Sequence, residues 1–393
     1  MLAPFLSRLA KHKPKILPCA CTHYILFCHI IQPFVAFSPF SHTAHFLSIL
    51  LIGTTYWRNV ENFALFWYNI NKYYQNLEDF MPLSYRDLYN SVIVDKIPAV
   101  IVDYKCRNKT FTYLPFSHTS SDSALDDLYD LLIDNTVFYT FSEKELLSLH
   151  EDIGLLDDLR DAAKYSFAQF LPKRTNPNTD GTIGEILLDL LIQGYQPKAQ
   201  KLIARAKFTE MDKKSEITGY DALYFTKQDG QVKLWLGQAK AGKEDYCKRD
   251  IKKDLNPKFT TDYFASTAFY IASRSDSTDL SCIITELNKI CLQAQKSKWT
   301  KEQKVDALFA SLSKHKVTVK IPCLLAYTKD IYSDPALLQQ KIDECANEIC
   351  SSLDTESYSI GLKLPYDIVF YVFPIKDVSY IRDRIATFKK EVV

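Results

Sequence analysis

Apolar residues recur at two spacings along the chain from residue 81 onward, every second position and every third to fourth. Residues 99–104, Ala-Val-Ile-Val-Asp-Tyr, form a β-branched run that predicts a strand, and 110–113 predicts its partner. A polar loop is expected at 117–123. Helical spacing runs from Leu125 to Ile133, and 137–139 reads as another short strand. Ser142-x-x-Glu145 has the form of a capping box opening a helix that ends near His150, and 155–171 continues helical. After a loop at 176–181, an apolar helix over 183–193 is expected to stop at Gly194. Residues 202–208, 220–225 and 233–240 read as strands. Helix is expected over 244–273 with a break near Pro257, over 278–295, over 337–353 and over 378–390. Strands are expected at 318–327 and 367–373. This order predicts an α/β fold with a mixed sheet. It divides into an N-terminal α/β accessory region at 81–170 and a second domain at 171–393.

Residues 1–80 follow a different pattern. They hold only three acids, Glu61, Glu78 and Asp79, but five of the eight histidines. Two apolar stretches, 24–37 and 44–57, fall short of the roughly 20 residues a spanning helix needs. Pro14, Pro18 and a cysteine–histidine cluster interrupt what would be the apolar run of a secretory signal. Cys19, Cys21, His23, Cys28 and His29 match the paired spacing of zinc ligands poorly. An ordinary globular pattern begins just after Met81, so residues 1–80 are expected to be an atypical upstream extension outside the native protein. A net charge of +1 over 393 residues argues against a generally basic nucleic-acid coat. The ten cysteines are scattered rather than framed, which predicts reduced thiols and a cytoplasmic location.

The candidate chemistry lies around Asp229-Gly230, a hairpin turn signal. If Gln228 pairs with Gln231, Asp221 falls opposite Gln238, with Cβ atoms roughly 5 Å apart. Gln238 and Lys240 share a face with Leu223, Phe225, Leu234 and Leu236. Asp221, Gln238 and Lys240 then gather at one end of an apolar face. Phosphodiester hydrolysis needs such a set: oxygen ligands for a hard cation, and a positive group to stabilise developing charge. Asp221 and the Gln238 carbonyl would hold Mg²⁺ or Mn²⁺, Glu185 would add a second carboxylate, and Lys240 would orient the attacking water.

Gly184-Glu185, Gly219-Tyr220-Asp221 and Leu236-Gly237-Gln238-Ala239-Lys240 resemble the PD-(D/E)xK nuclease pattern. The chain looks most like the HamA family, the nuclease subunits of Hachiman antiphage defence. The similarity is strongest over about 180–275 and extends more loosely over 81–393. It implies a restriction-endonuclease-like core, catalytic Glu185, Asp221, Gln238 and Lys240, and Mg²⁺-dependent DNA cleavage. It also implies a superfamily 2 helicase partner that restrains the nuclease until foreign or damaged DNA is sensed. Gln238 stands where the family usually has Glu, which removes one negative charge from the site.

Competing readings accompany these residues. Thr182-x-x-Glu185 is itself a capping-box pattern, so Glu185 could simply close a helix N-terminus. Lys243, Arg249, Lys252 and Lys253 could hold DNA phosphates. Glu244, Asp245, Asp250 and Asp254 interleave with them and could pair with them instead. Glu210 and Glu216 read as solvated loop acids, and His118, His150 and His315 show no partner pattern. The alternative function is a catalytically inactive nuclease-fold subunit that binds nucleic acid or the helicase.

Overall fold

The computed structural model describes residues 84–104, 111–172, 180–208, 219–275, 277–354, 358 and 360–391. The extension at 1–80, with its cysteine–histidine cluster, lies outside the described residues, as do Glu210 and Glu216. Residues 83–393 group as one compact unit.

The helices are α1 (Tyr85–Val92), α2 (Ile97–Val100), α3 (Ala124–Thr140), α4 (Glu143–Ile153), α5 (Leu159–Gln169) and α6 (Thr182–Tyr195). After the central hairpin come α7 (Glu244–Lys258), α8 (Thr261–Ala272), α9 (Ser281–Lys296), α10 (Lys301–Lys314), α11 (Leu338–Leu353) and α12 (Val378–Lys390). The strands are β1 (Ile101–Asp103), β2 (Thr112–His118), β3 (Gln200–Lys201), β4 (Ala222–Gln228), β5 (Gln231–Gly242), β6 (Val317–Thr328) and β7 (Tyr366–Ile375).

The expected α/β class with a mixed sheet is what the chain adopts. Seven strands lie in the order β1-β2-β7-β6-β5-β4-β3. Strands β5, β6, β7 and β2 run parallel, and β1, β3 and β4 pair antiparallel with their neighbours. Strands from both sides of residue 170 therefore share one sheet.

Helices cover both faces, and strand alternation decides which side chain joins which core. On β6, Leu324 and Ala326 face the layer of α3, α5, α6 and α12, whereas Val319, Ile321, Cys323 and Leu325 face α7, α8 and α10. Strand β7 divides likewise, with Tyr371 and Phe373 on one side and Phe370 and Val372 on the other.

The β4–β5 hairpin has the anticipated register. Gln228 pairs with Gln231 and Ala222 with Gly237. Asp229 and Gly230 both take positive φ, 51° and 75°, as a tight two-residue turn requires. At Gly237 the helix α6 comes so close that a Cβ would stand 2.8 Å from Leu188 Cδ2 and 2.7 Å from Ala222 Cβ. Gly237→Ala is expected to cost about 1–3 kcal/mol through overpacking. A denaturant midpoint unchanged from the parent would show that the layer yields without cost.

Four local expectations are corrected. The strand placed at 99–104 shrinks to β1, because Pro98 sits in the first turn of the short helix α2, which takes up Ala99 and Val100. Residues 137–139 continue α3, whose last ten residues are almost all buried. Tertiary packing there overrides the β propensity of Val-Phe-Tyr. Gly194 does not stop α6, which runs on to Tyr195 and carries the glycine in its last turn at modest cost. Residues 202–208 are not a strand. Gln200–Lys201 pair with β4, Leu202 N–H adds one bond to Leu223 O (3.0 Å), and Arg205–Phe208 form a 3₁₀ turn that directs Arg205 inward. Helix α10 was not foreseen, although Thr300 and Gln303 form a capping box at its start. Among the described residues, no helix is long and apolar enough to cross a membrane.

Candidate active site at the head of the hairpin

Asp221 immediately precedes β4. Its backbone N–H donates to Gly237 O (2.8 Å), the residue already paired with Ala222, so the ladder ends one step short of the expected Asp221–Gln238 pair, and its carboxylate accepts from Ala239 N–H (2.7 Å). This fastening fixes the carboxylate against β5, at the residue next to Lys240. Burial raises the Asp221 carboxyl above its usual range. The charge of Glu185 raises it further, and Lys258, Lys240 and the Ala239 N–H offset this only in part.

Glu185 comes from the first turn of α6. The capping reading does not hold: Gly181 is the N-cap, Thr182 already lies inside the helix, and the Thr182 hydroxyl donates to Asp180 (2.5 Å). The buried Glu185 carboxylate instead accepts from Tyr139 OH (2.6 Å) and from Arg205 Nη2 (2.8 Å). Asp189, one turn further along α6, belongs to a separate buried network. It accepts from Asn135 Nδ2 (2.9 Å), Gln193 Nε2 (2.8 Å) and Tyr224 OH, and it faces Lys201 Nζ at 3.5 Å.

Gln238 is completely buried. Its amide nitrogen donates to Gly219 O (2.6 Å) and Gly237 O (2.9 Å), so Oε1 is left to face Lys258 Nζ, which donates to it at 2.6 Å. Lys258 also reaches Asp254 (2.8 Å), and Lys240 donates to the same Asp254 oxygen (2.6 Å). Asp254 thus bridges two ammonium groups. Burial alone would raise its carboxyl, but hydrogen bonds from Lys240 and Lys258 outweigh that and hold it below the usual range. Burial works against charge on Lys240, yet Asp221 and Asp254 prevail and raise its pKa. Lys240 is therefore a protonated donor in this arrangement.

The structure brings Glu185, Asp221, Gln238 and Lys240 to one end of the hairpin and adds four residues that sequence reasoning did not place there. Two of them, Asp254 and Lys258, arrive on α7. Its buried stripe is Cys247, Ile251 and Leu255, and seven residues beyond the first two of these stand Asp254 and Lys258. That spacing puts them beside the stripe, facing β5, and was available in the sequence. The other two, Tyr139 and Arg205, come from a helix and a turn read there as strands, and no local signal reveals them.

The basic residues expected to hold DNA phosphates lie elsewhere on α7 and at its N-cap. Lys243 is the exposed N-cap, Lys253 is exposed, and Lys252 is half-buried. Arg249 is exposed, donates to Asp250 (2.8 Å) and stacks 5.6 Å over Tyr246. Lys248 pairs with Glu244, so the interleaved acids do take partners on this helix.

Oxygen donors from Glu185, Asp221 and Gln238 fit a hard divalent cation such as Mg²⁺ or Mn²⁺. The physical sign of that fit is the raised Asp221 carboxyl: burial raises it first and the charge of Glu185 second, and a bound cation would offset both. For Gln238 to contribute its oxygen, Lys258 must release it.

Among protein families, the model for HamA matches the chain over residues 90–390. No curated protein and no solved structure matches it.

Proposed function

Because the chain belongs to the HamA family, we propose that it is the metal-dependent DNA nuclease of a Hachiman antiphage defence complex. The observation that carries this reading is the meeting of Glu185 and Asp221, from separate elements, beside Lys240. Glu185, Asp221 and, once Lys258 releases it, the Gln238 carbonyl would hold Mg²⁺ or Mn²⁺. The cation supplies charge neutralisation at the scissile phosphate and acidifies water at neutral pH. The chain's own residues do the remainder. Tyr139 and Arg205 orient the Glu185 carboxylate, and Ala239 N–H orients that of Asp221. Asp254 holds the Lys240 ammonium, which donates a hydrogen bond to the attacking water or to the phosphate as charge builds. Lys243, Arg249, Lys252 and Lys253 line the approach for DNA phosphates, and a superfamily 2 helicase subunit restrains the enzyme.

A second reading rests on one observation. The Gln238 oxygen is engaged by Lys258 within a fully buried position, as suits a nuclease fold that serves as a binding subunit without cutting. Plasmid and linear DNA cleavage in Mg²⁺ or Mn²⁺, with the parent beside Gln238→Glu, separates the two. The new carboxylate would face Lys258 and add a negative charge to the donor set, so Mn²⁺ affinity is expected to rise about tenfold, by roughly the 1.4 kcal/mol that factor represents. Cutting by the parent supports the nuclease. Silence in the parent with cutting by Gln238→Glu would establish the inactive subunit.

A further inference from the structure

Away from the hairpin, α9 and α10 pack side by side and bring three metal-binding side chains of different chemistry together. Cys282 and Glu286 stand four residues apart on α9, hence on one helical face. His315 is the C-cap of α10. The Cys282 thiol, a Glu286 carboxylate oxygen and a His315 ring nitrogen all lie within 4.8 Å of one another. Ligands around tetrahedral zinc stand about 3.3–3.8 Å apart, given bonds of roughly 2.0–2.3 Å. The 4.8 Å limit is about one ångström wider than that shell, and the Glu286–His315 pair already stands at 3.1 Å.

A second observation points the same way. His315 Nε2 is shielded from solvent and stands 3.1 Å from Glu286 Oε2, an ion pair when the ring is protonated. On a neutral ring the same nitrogen can offer its lone pair to a cation beside that carboxylate. Around them, Lys314 Nζ donates to Glu286 Oε1 (2.9 Å) and Ser311 Oγ to Oε2 (2.8 Å). Lys314 thus occupies one carboxylate oxygen and leaves the other, which Ser311 would share or yield.

We propose that Cys282, Glu286 and His315 form a zinc-class metal site that pins α9 to α10. Thiolate and imidazole select a borderline-soft cation such as Zn²⁺ over Mg²⁺, so this site is chemically distinct from the all-oxygen set at the hairpin. Three protein ligands leave the fourth position to water.

Cobalt(II) titration of the metal-stripped full chain under reducing conditions tests the site, with Zn²⁺ as competitor. A thiolate on cobalt gives a near-ultraviolet charge-transfer band that an oxygen-only site does not produce. One equivalent of cobalt is expected to raise this band, and zinc to abolish it. Cys282→Ser, at an exposed position, should remove the band, and His315→Ala should weaken cobalt and zinc at least tenfold, both with unchanged circular dichroism. Absence of the band in the parent overturns the proposal. So does a band that survives either substitution at full strength and affinity, since the metal would then be held by other cysteines.

Discussion

Lys240→Ala is expected to lower DNA cleavage by about 100- to 1,000-fold, the usual cost of removing one preorganised donor at a developing charge. Burial opposes its charge, but Asp221 and Asp254 hold the ammonium protonated, so its contribution is a fixed positive charge rather than proton abstraction. Asp254 keeps Lys258 as a partner in the variant, so folding should change little. Cleavage rates at saturating Mn²⁺, read beside a thermal melt, check both halves. A loss under tenfold with an unchanged melt would remove Lys240 from the reaction.

Asp189→Ala should be the most damaging single change to stability. Side chains Lys201 and Asp189 are 4% and 3% exposed. Removing one partner of a buried pair costs about 3–5 kcal/mol, because the other charge is left stranded. Asn135, Gln193 and Tyr224 would lose their shared acceptor as well. The deficit should depend on pH in a definite direction. Burial pulls the Lys201 ammonium below its usual pKa, and Asp189 is the strongest influence holding it up. Without Asp189 the folded value falls further below the unfolded value of about 10.4. Between those two values the unfolded chain binds the extra proton, so stability rises with pH. Urea melts should therefore show the gap to the parent narrowing from neutral pH toward about 10. A gap that stays constant would mean that Lys201 does not carry the penalty.

The parts of the fold legible in the sequence were those set by short-range rules. Asp229-Gly230 fixes a two-residue turn, and the turn fixes the pairing of Ala222 with Gly237 that carries Asp221 against β5. Ser142 and Glu145 form their capping box as read. The errors fell where long-range packing outweighed local preference. Residues 137–139 would suit a strand, but α3 is enclosed on nearly every side there. Residues 202–208 are apolar enough for a strand, but their purpose in the fold is to bring Arg205 onto Glu185. His315 offered no pattern because Cys282 and Glu286 meet it only across two packed helices. The Glu185 capping box failed because the helix begins at Thr182 itself, which leaves the capping position to Gly181.

The pairing of β2 with β7 has a consequence for how the protein is made. Tyr113 lies beside Phe370, about 250 residues further along the chain. At roughly 5–20 residues per second, a ribosome needs on the order of 10–50 s to supply that partner. Through that interval the nascent β2 has its antiparallel neighbour β1 but an open edge on the side where β7 will lie. The polypeptide thus emerges with a sticky border that only its own tail can seal, which makes chaperone capture during synthesis a natural requirement. A premature stop before residue 366 would leave that border permanently available to other chains.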